Sequence, residues 1–263
     1  MPAPDTISPT TLARLIGTPA APSLIDVRAP GADARIPGAT RRLPGEGRAV
    51  VIDETGGAAA HAAAARLRYD GIAAEALEGG HAGWAAAGLP LVPEAALVRD
   101  GADRTLWVTR SRPKVDRIAC PWLIRRFVDP HAVILFVAPG EVAAVAAETG
   151  AAAFDVVGEG VRWTHEGDLC TFDAMIDGLG LSAIAALEAL APIVRGADTA
   201  RPDIAPEAAG LLAISLGLSR LHADDHVQLE AGMAMYDALF RWARDARDEK
   251  HDWTSHQPRG AKA

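Results

Sequence analysis

Ala49-Val50-Val51-Ile52-Asp53-Glu54-Thr55-Gly56-Gly57 passes from an apolar run through a glycine pair into an alanine-rich segment, Ala58 to Tyr69, that closes near Gly71. The run from Ala49 to Asp53 is short and ends at turn formers, which predicts a buried strand, and the alanines after Gly57 predict a helix. Ile72 to Leu77 reads as the next strand, followed by Gly79-Gly80 and a short helix around Trp84. Working back, Ser23 to Arg28 is an earlier strand, and Ser8 with Pro9 starts a helix that Gly17 stops. Strands alternating with helices over such short connections imply an α/β unit with a parallel sheet.

Forward of this unit, periodicity lapses and charge rises between Pro93 and Arg104, which places a domain boundary there. The second part opens on a strand, Thr105 to Thr109, and continues with a helix from Pro121 to Phe127, proline suiting a first turn. A strand from Ala132 to Val137 and a helix from Glu141 to Glu148 closed by Gly150 follow, then two short strands, Phe154 to Val157 and Val161 to Trp163. Helices are predicted over Ser182 to Val194, Pro206 to Leu221 and Asp225 to Arg247. The expected fold class is α/β: a parallel-sheet domain over 5–93, then an α+β domain over 105–248 ending in a helical bundle. Residues 249–263 are polar and expected to be disordered.

The chain has 263 residues, 49% of them hydrophobic, and a net charge of −8, a balance that supports packed cores and gives no support to nucleic-acid binding. No apolar run reaches the length of a membrane span, and the N-terminus lacks the basic and apolar regions of a signal peptide, so the cytoplasm is the expected location. The two cysteines, Cys120 and Cys170, read as free thiols of a reducing compartment. Leu229, Met233, Met235, Tyr236, Leu239, Phe240 and Trp242 form a core stripe on the last helix, which could also be part of a homodimer face.

Leu24-Ile25-Asp26-Val27-Arg28, then Arg35-Ile36-Pro37-Gly38-Ala39, then Leu77-Glu78-Gly79-Gly80-His81-Ala82-Gly83-Trp84 with Gly88-Leu89-Pro90, together resemble a single rhodanese domain. In that family a strand ends in a cysteine, and a loop of backbone N–H groups cradles the transferred anion. Aligned on Ala62 to Arg68, the cysteine position falls on Glu54 and the usual loop arginine on Ala59, while Gly57 is kept. A carboxylate cannot carry a persulfide, so the resemblance implies a scaffold without sulfurtransferase activity.

The run from Thr109 to Phe127, with Cys170-Thr171-Phe172-Asp173 and the final helices, resembles the C-terminal domain of the chromate-resistance protein family. The resemblance implies association with chromate resistance, some members being chromate-responsive regulators. Regulatory members carry a basic N-terminal part that is not found here, so DNA binding does not carry over. Arg110, Arg112, Lys114 and Arg117 precede a helix, an arrangement that suits chromate or another small oxyanion; a solvated basic strand end is the plainer alternative. His222, Asp225 and His226 would share one face of a continuous helix, and with His165, Glu166 and Asp173 they could ligate zinc, iron or manganese. The alternative is that Asp224 or Asp225 simply caps the last helix. Asp116, Cys120 and Cys170 are the candidate catalytic residues. Two functions follow: a chromate- or oxyanion-binding sensor with an inactive rhodanese-like module, or a metal-dependent enzyme acting on an oxyanion or a sulfur-containing substrate.

Overall fold

The computed structural model describes residues 5–44 and 47–249. The first half runs β1 (Thr6–Ile7), α1 (Pro9–Ala13), β2 (Ser23–Asp26), β3 (Ala34–Arg35), β4 (Ala39–Thr40), β5 (Arg48–Ile52), α2 (Ala58–Tyr69), β6 (Ala73–Leu77), α3 (Gly80–Ala86) and β7 (Val92–Pro93). Five of these strands form a wholly parallel sheet in the order β1-β6-β5-β2-β4, while β3 and β7 pair antiparallel beside it. This is the α/β arrangement implied by the alternation of apolar runs and glycine turns. Ser8 caps α1 by accepting from the Thr11 amide, with Pro9 in the first turn.

Side chains on the central strands divide by period two. Ile25, Ala49, Val51 and Ala76 face α2, packing on Ala60, Ala64 and Leu67. Leu24, Val50, Ile52 and Leu77 face the other way, into a core that contains Leu12 and Trp84 and runs on without a break to Trp122, Phe127 and Phe240 of the second half. The two halves thus share one core. At their junction the Phe127 ring lies where a side chain at Gly17 would be: a Cβ there would sit 2.2 Å from the ring's Cζ. Gly38 N–H donates to the Phe127 carbonyl at 2.8 Å, and Arg244 donates to the Arg14 carbonyl at 2.9 Å. The charged connector is folded down as well, with Arg35 held between Glu94 (2.7 Å) and Asp103 (3.1 Å).

The second half runs β8 (Leu106–Arg110), α4 (Asp116–Phe127), β9 (Val133–Val137), α5 (Val142–Thr149), β10 (Ala152–Ala153), α6 (Thr171–Gly178), α7 (Ala185–Asp198), α8 (Ala208–Leu221) and α9 (Asp225–Asp245). Strands β10, β8 and β9 form a second parallel sheet, and α4, α6, α7, α8 and α9 pack as the expected bundle. Three expectations change. Helix α4 begins at Asp116 rather than Pro121, with Pro121 inside it, because Val115 and not the proline marks the turn into the helix. Helix α7 begins at Ala185 and reaches Asp198, past the Val194 end expected for it. The two short strands around Phe154 and Trp163 reduce to one bridge between those residues. The expected disordered tail lies outside the described residues from 250 onward. No helix among the described residues is long and apolar enough to cross a membrane.

Candidate metal centre

Ligand sites of parallel sheets gather beyond the carboxyl ends of the strands, and the polar cluster of the second half lies there. Strand β8 ends on Arg110; the chain leaving β10 passes through Phe154 to Asp155, which takes a left-handed backbone conformation, φ 51°. Asp116 is the first residue of α4, and Asp198 the last of α7. His165 comes from the loop after Trp163. Its Nε2 lies 3.2 Å from Asp198 Oδ2, 3.6 Å from Asp155 Oδ1 and 3.7 Å from Asp116 Oδ2, so three carboxylates from three elements meet one imidazole nitrogen.

Each acid is held from behind. Asp116 is fully buried; its Oδ2 accepts from the Thr171 amide at 2.7 Å and the Phe172 amide at 3.3 Å, while Oδ1 is buried with no hydrogen-bond partner. Asp155 accepts from Thr171 Oγ1 at 3.2 Å and pairs through Oδ2 with Arg110 and Arg117, both at 3.1 Å. Asp198 accepts from the Asp116 amide, so the anion at the N-terminus of α4 is a carboxylate of the chain itself. Burial, followed by the charges of Asp198 and Asp155, pushes the Asp116 carboxyl well above its ordinary range, and burial with the Asp155 charge raises Asp198. The imidazole is 41% exposed, so the cluster opens to solvent past His165 while Asp116 forms its floor.

One ligand atom each from Asp116, His165 and Asp198 fit within 4.8 Å of one another. Donor atoms about 2.1 Å from a shared ion are separated by about 3.0 Å in octahedral and about 3.4 Å in tetrahedral geometry, close to the spacings around His165. Nitrogen and carboxylate donors without thiolate suit manganese, iron or zinc.

Of the residues singled out in the sequence, Asp116, His165, Arg110 and Arg117 come together here. Arg112 stands apart, its guanidinium on the carbonyls of Ser219 (2.6 Å), His222 (3.2 Å) and Ala223 (3.3 Å), where it closes the end of α8. Lys114 is exposed on the same loop. The expected His222–Asp225–His226 face does not form, because α8 stops at Leu221, His222 takes an extended conformation and Asp224 caps α9 through the Val227 amide. Asp225 accepts instead from the Arg112 amide, and His226 packs edge-on against Phe136. Asp173 accepts from the Cys170 amide and pairs with Arg195; Glu166 only closes a turn with Leu169. Cys120 and Cys170 are buried free thiols, and burial pushes both thiol pKa values up. Asp155 and Asp198 are not among the residues that the sequence singles out. Asp198 carries a signal nonetheless: a carboxylate in the last turn of a helix opposes the helix dipole, so something else must favour it.

In the first half, Glu54 is 64% exposed, 3.7 Å from Arg28 and 3.9 Å from His81. The cradle behind it is filled from within. Asp53 Oδ1 accepts from the amides of Thr55 (3.1 Å), Gly56 (2.6 Å) and Gly57 (3.1 Å), and Oδ2 from Gly57 (3.0 Å) and Ala60 (3.1 Å). Helix α2 has glycine at its N-cap, so Asp53 also supplies the cap that Gly57 lacks. Burial works against the Asp53 carboxylate, but the four amides outweigh it and hold its pKa below the ordinary value.

The family model for the C-terminal domain of ChrB matches residues 107–243, just over half of the chain. Protein ChrB of Cupriavidus metallidurans is 35% identical over 135 residues, covering 51% of this chain and 39% of that protein, so this chain aligns with less than half of the relative's length. The crystal structure of thiosulfate sulfurtransferase from Pseudomonas aeruginosa aligns at 32% identity over 34% of this chain and 19% of its own, with a TM-score of 0.28.

Proposed function

We propose that this chain, which belongs to the chromate-resistance ChrB family by its domain at residues 107–243, binds a divalent first-row metal ion through Asp116, His165 and Asp198 and meets chromate or a related oxyanion at that ion. The observation that carries the reading is the meeting of three carboxylates, the fully buried Asp116 among them, on His165 Nε2. Charge balance extends it to an anion. Three carboxylates against two guanidiniums leave one negative charge, and a divalent ion turns that into one positive charge beside the half-exposed Arg110, whose Nε is buried without an acceptor. Arg110 would hold a small oxyanion beside such an ion by donating to it. The ion would act as a Lewis acid towards the bound oxygen; Asp155 keeps the two arginines in place. The rhodanese-like module is read as inactive, since Glu54 stands at the nucleophile's position and Asp53 fills the cradle.

Calorimetric titration of metal-free protein with Mn²⁺ and Zn²⁺, followed by chromate or sulfate, tests both parts. The proposal expects one equivalent of metal and anion binding only to the loaded protein, weakened by Arg110→Ala. Anion binding of equal strength without metal would return the reading to a purely basic anion site.

A further inference from the structure

The loop that delivers Asp116 is held in a conformation its residues would not choose. Arg112 has φ 56°, and Val115, a β-branched residue, has φ 22° and ψ −92° immediately before Asp116. Non-glycine residues at positive φ persist only where surrounding contacts impose them, and they cluster at functional sites.

The start of the loop is tied down by Arg112 on the end of α8, by Asp225 on the Arg112 amide and by Arg117 on the Ser111 carbonyl, while its last residues before Asp116 are held from one face of α9. Gln228 Nε2 donates to the Pro113 carbonyl at 2.6 Å, and Tyr236 Oη donates to the Val115 carbonyl at 3.1 Å. Both side chains are buried, and burial pushes the Tyr236 phenol's pKa up, keeping it a donor. Midway between them Gly232 lets α9 approach α4 so closely that a Cβ there would lie 2.5 Å from Ile118 Cγ2. Gln228, Gly232 and Tyr236 are four residues apart in succession, so they form one stripe along the helix. Neither polar group touches the carboxylate cluster.

We infer that Gln228 and Tyr236 are positioning residues for the metal site, holding the 111–115 loop in its high-energy form so that the Asp116 carboxylate reaches the floor of the cluster. This rests on the metal reading above. Supports behind metal ligands commonly change affinity by about 10–100-fold when removed.

The test compares Mn²⁺ affinity by calorimetry with the melting temperature of the metal-free protein, for wild type, Tyr236→Phe, Gln228→Met and the control Phe240→Leu. Phe240 lies in the same helix, packed on Trp122 and Phe127 and away from the loop. The expected result is a loss of about 10-fold or more in affinity for the first two, with Phe240→Leu lowering the melting temperature and keeping the affinity. If Tyr236→Phe does not fold, Gln228→Met decides. Wild-type affinity in the folded variants, or a loss that follows melting temperature equally in Phe240→Leu, would overturn the inference. Wild-type protein that binds neither Mn²⁺ nor Zn²⁺ would overturn the metal reading itself.

Discussion

Replacing Asp53 with alanine removes the acceptor shared by the amides of Thr55, Gly56, Gly57 and Ala60. Thr55 is exposed and Gly56 and Gly57 are half-buried, so water can take over much of their bonding, whereas Ala60, in the first turn of α2, is buried. An unsatisfied buried donor costs about 1–3 kcal/mol, a range that includes the loss of about 1 kcal/mol typical of a helix cap. The buried Ala60 amide, which is also the capped one, thus gives about 1–3 kcal/mol for Asp53→Ala. At about 2–4 °C per kcal/mol for a protein of this size, the melting temperature falls by about 2–12 °C. Asp53→Asn retains one acceptor oxygen and loses roughly half as much.

The pH dependence has a definite sign. Because Asp53 is held below its ordinary pKa, its stabilisation is complete above the unfolded value of about 3.9 and disappears as pH falls through the folded value. Thermal unfolding followed by circular dichroism at neutral pH and near pH 3 measures both effects. Sulfate should also restore part of the loss in Asp53→Ala, by entering the vacated cradle. A loss below about 0.5 kcal/mol, or an equal sulfate response in wild type, would refute the idea that Asp53 occupies the anion's place.

Three further outcomes follow. Persulfide transfer from thiosulfate to cyanide is expected to be undetectable, and Glu54→Cys alone to leave it so, because Asp53 still fills the cradle; turnover by that variant would count against the assignment. Asp116 and Asp198 have raised pKa values, so in the folded metal-free protein these two carboxyls keep protons that the unfolded chain has released, opposite to the lowered His81. The stability of the metal-free protein should therefore fall as pH rises from about 4 towards those raised values, a slope that Asp116→Asn flattens and bound metal suppresses in thermal melts. Gly17→Ala combines a left-handed backbone, φ 81°, with a Cβ inside the Phe127 ring, and should cost about 2–4 kcal/mol in chemical denaturation by prising the two halves apart.

The elements legible in the sequence were those with local punctuation. Helix α2 runs from Ala58 to Tyr69 because Gly57 and Gly71 bracket an unbroken alanine-rich run, and α5 ends where Gly150 takes the left-handed conformation. The start of α4 was misplaced because Pro121 outweighed Asp116 as a start signal, while the constraint on Val115 comes from Tyr236, far along the chain. The candidate site was half visible. Asp116 and His165 were named, but Asp155 and Asp198 reach His165 only through the packing of β10 and α7, which no spacing records. The regular spacing of His222, Asp225 and His226 misled, because Asp224 restarts the helix between them. Glu54 at the position expected for a nucleophile is a reading of the sequence alone, and the turning of its neighbour Asp53 into the loop is visible only in the structure.

The central claim is tested most directly by metal analysis of protein purified without chelator. The account predicts close to one equivalent of a divalent first-row metal in wild type, unchanged in His222→Ala and lost in both His165→Ala and Asp198→Ala. Metal-free wild type that also takes up none on incubation with Mn²⁺ or Zn²⁺, or full metal content in the His165 and Asp198 variants, would contradict it.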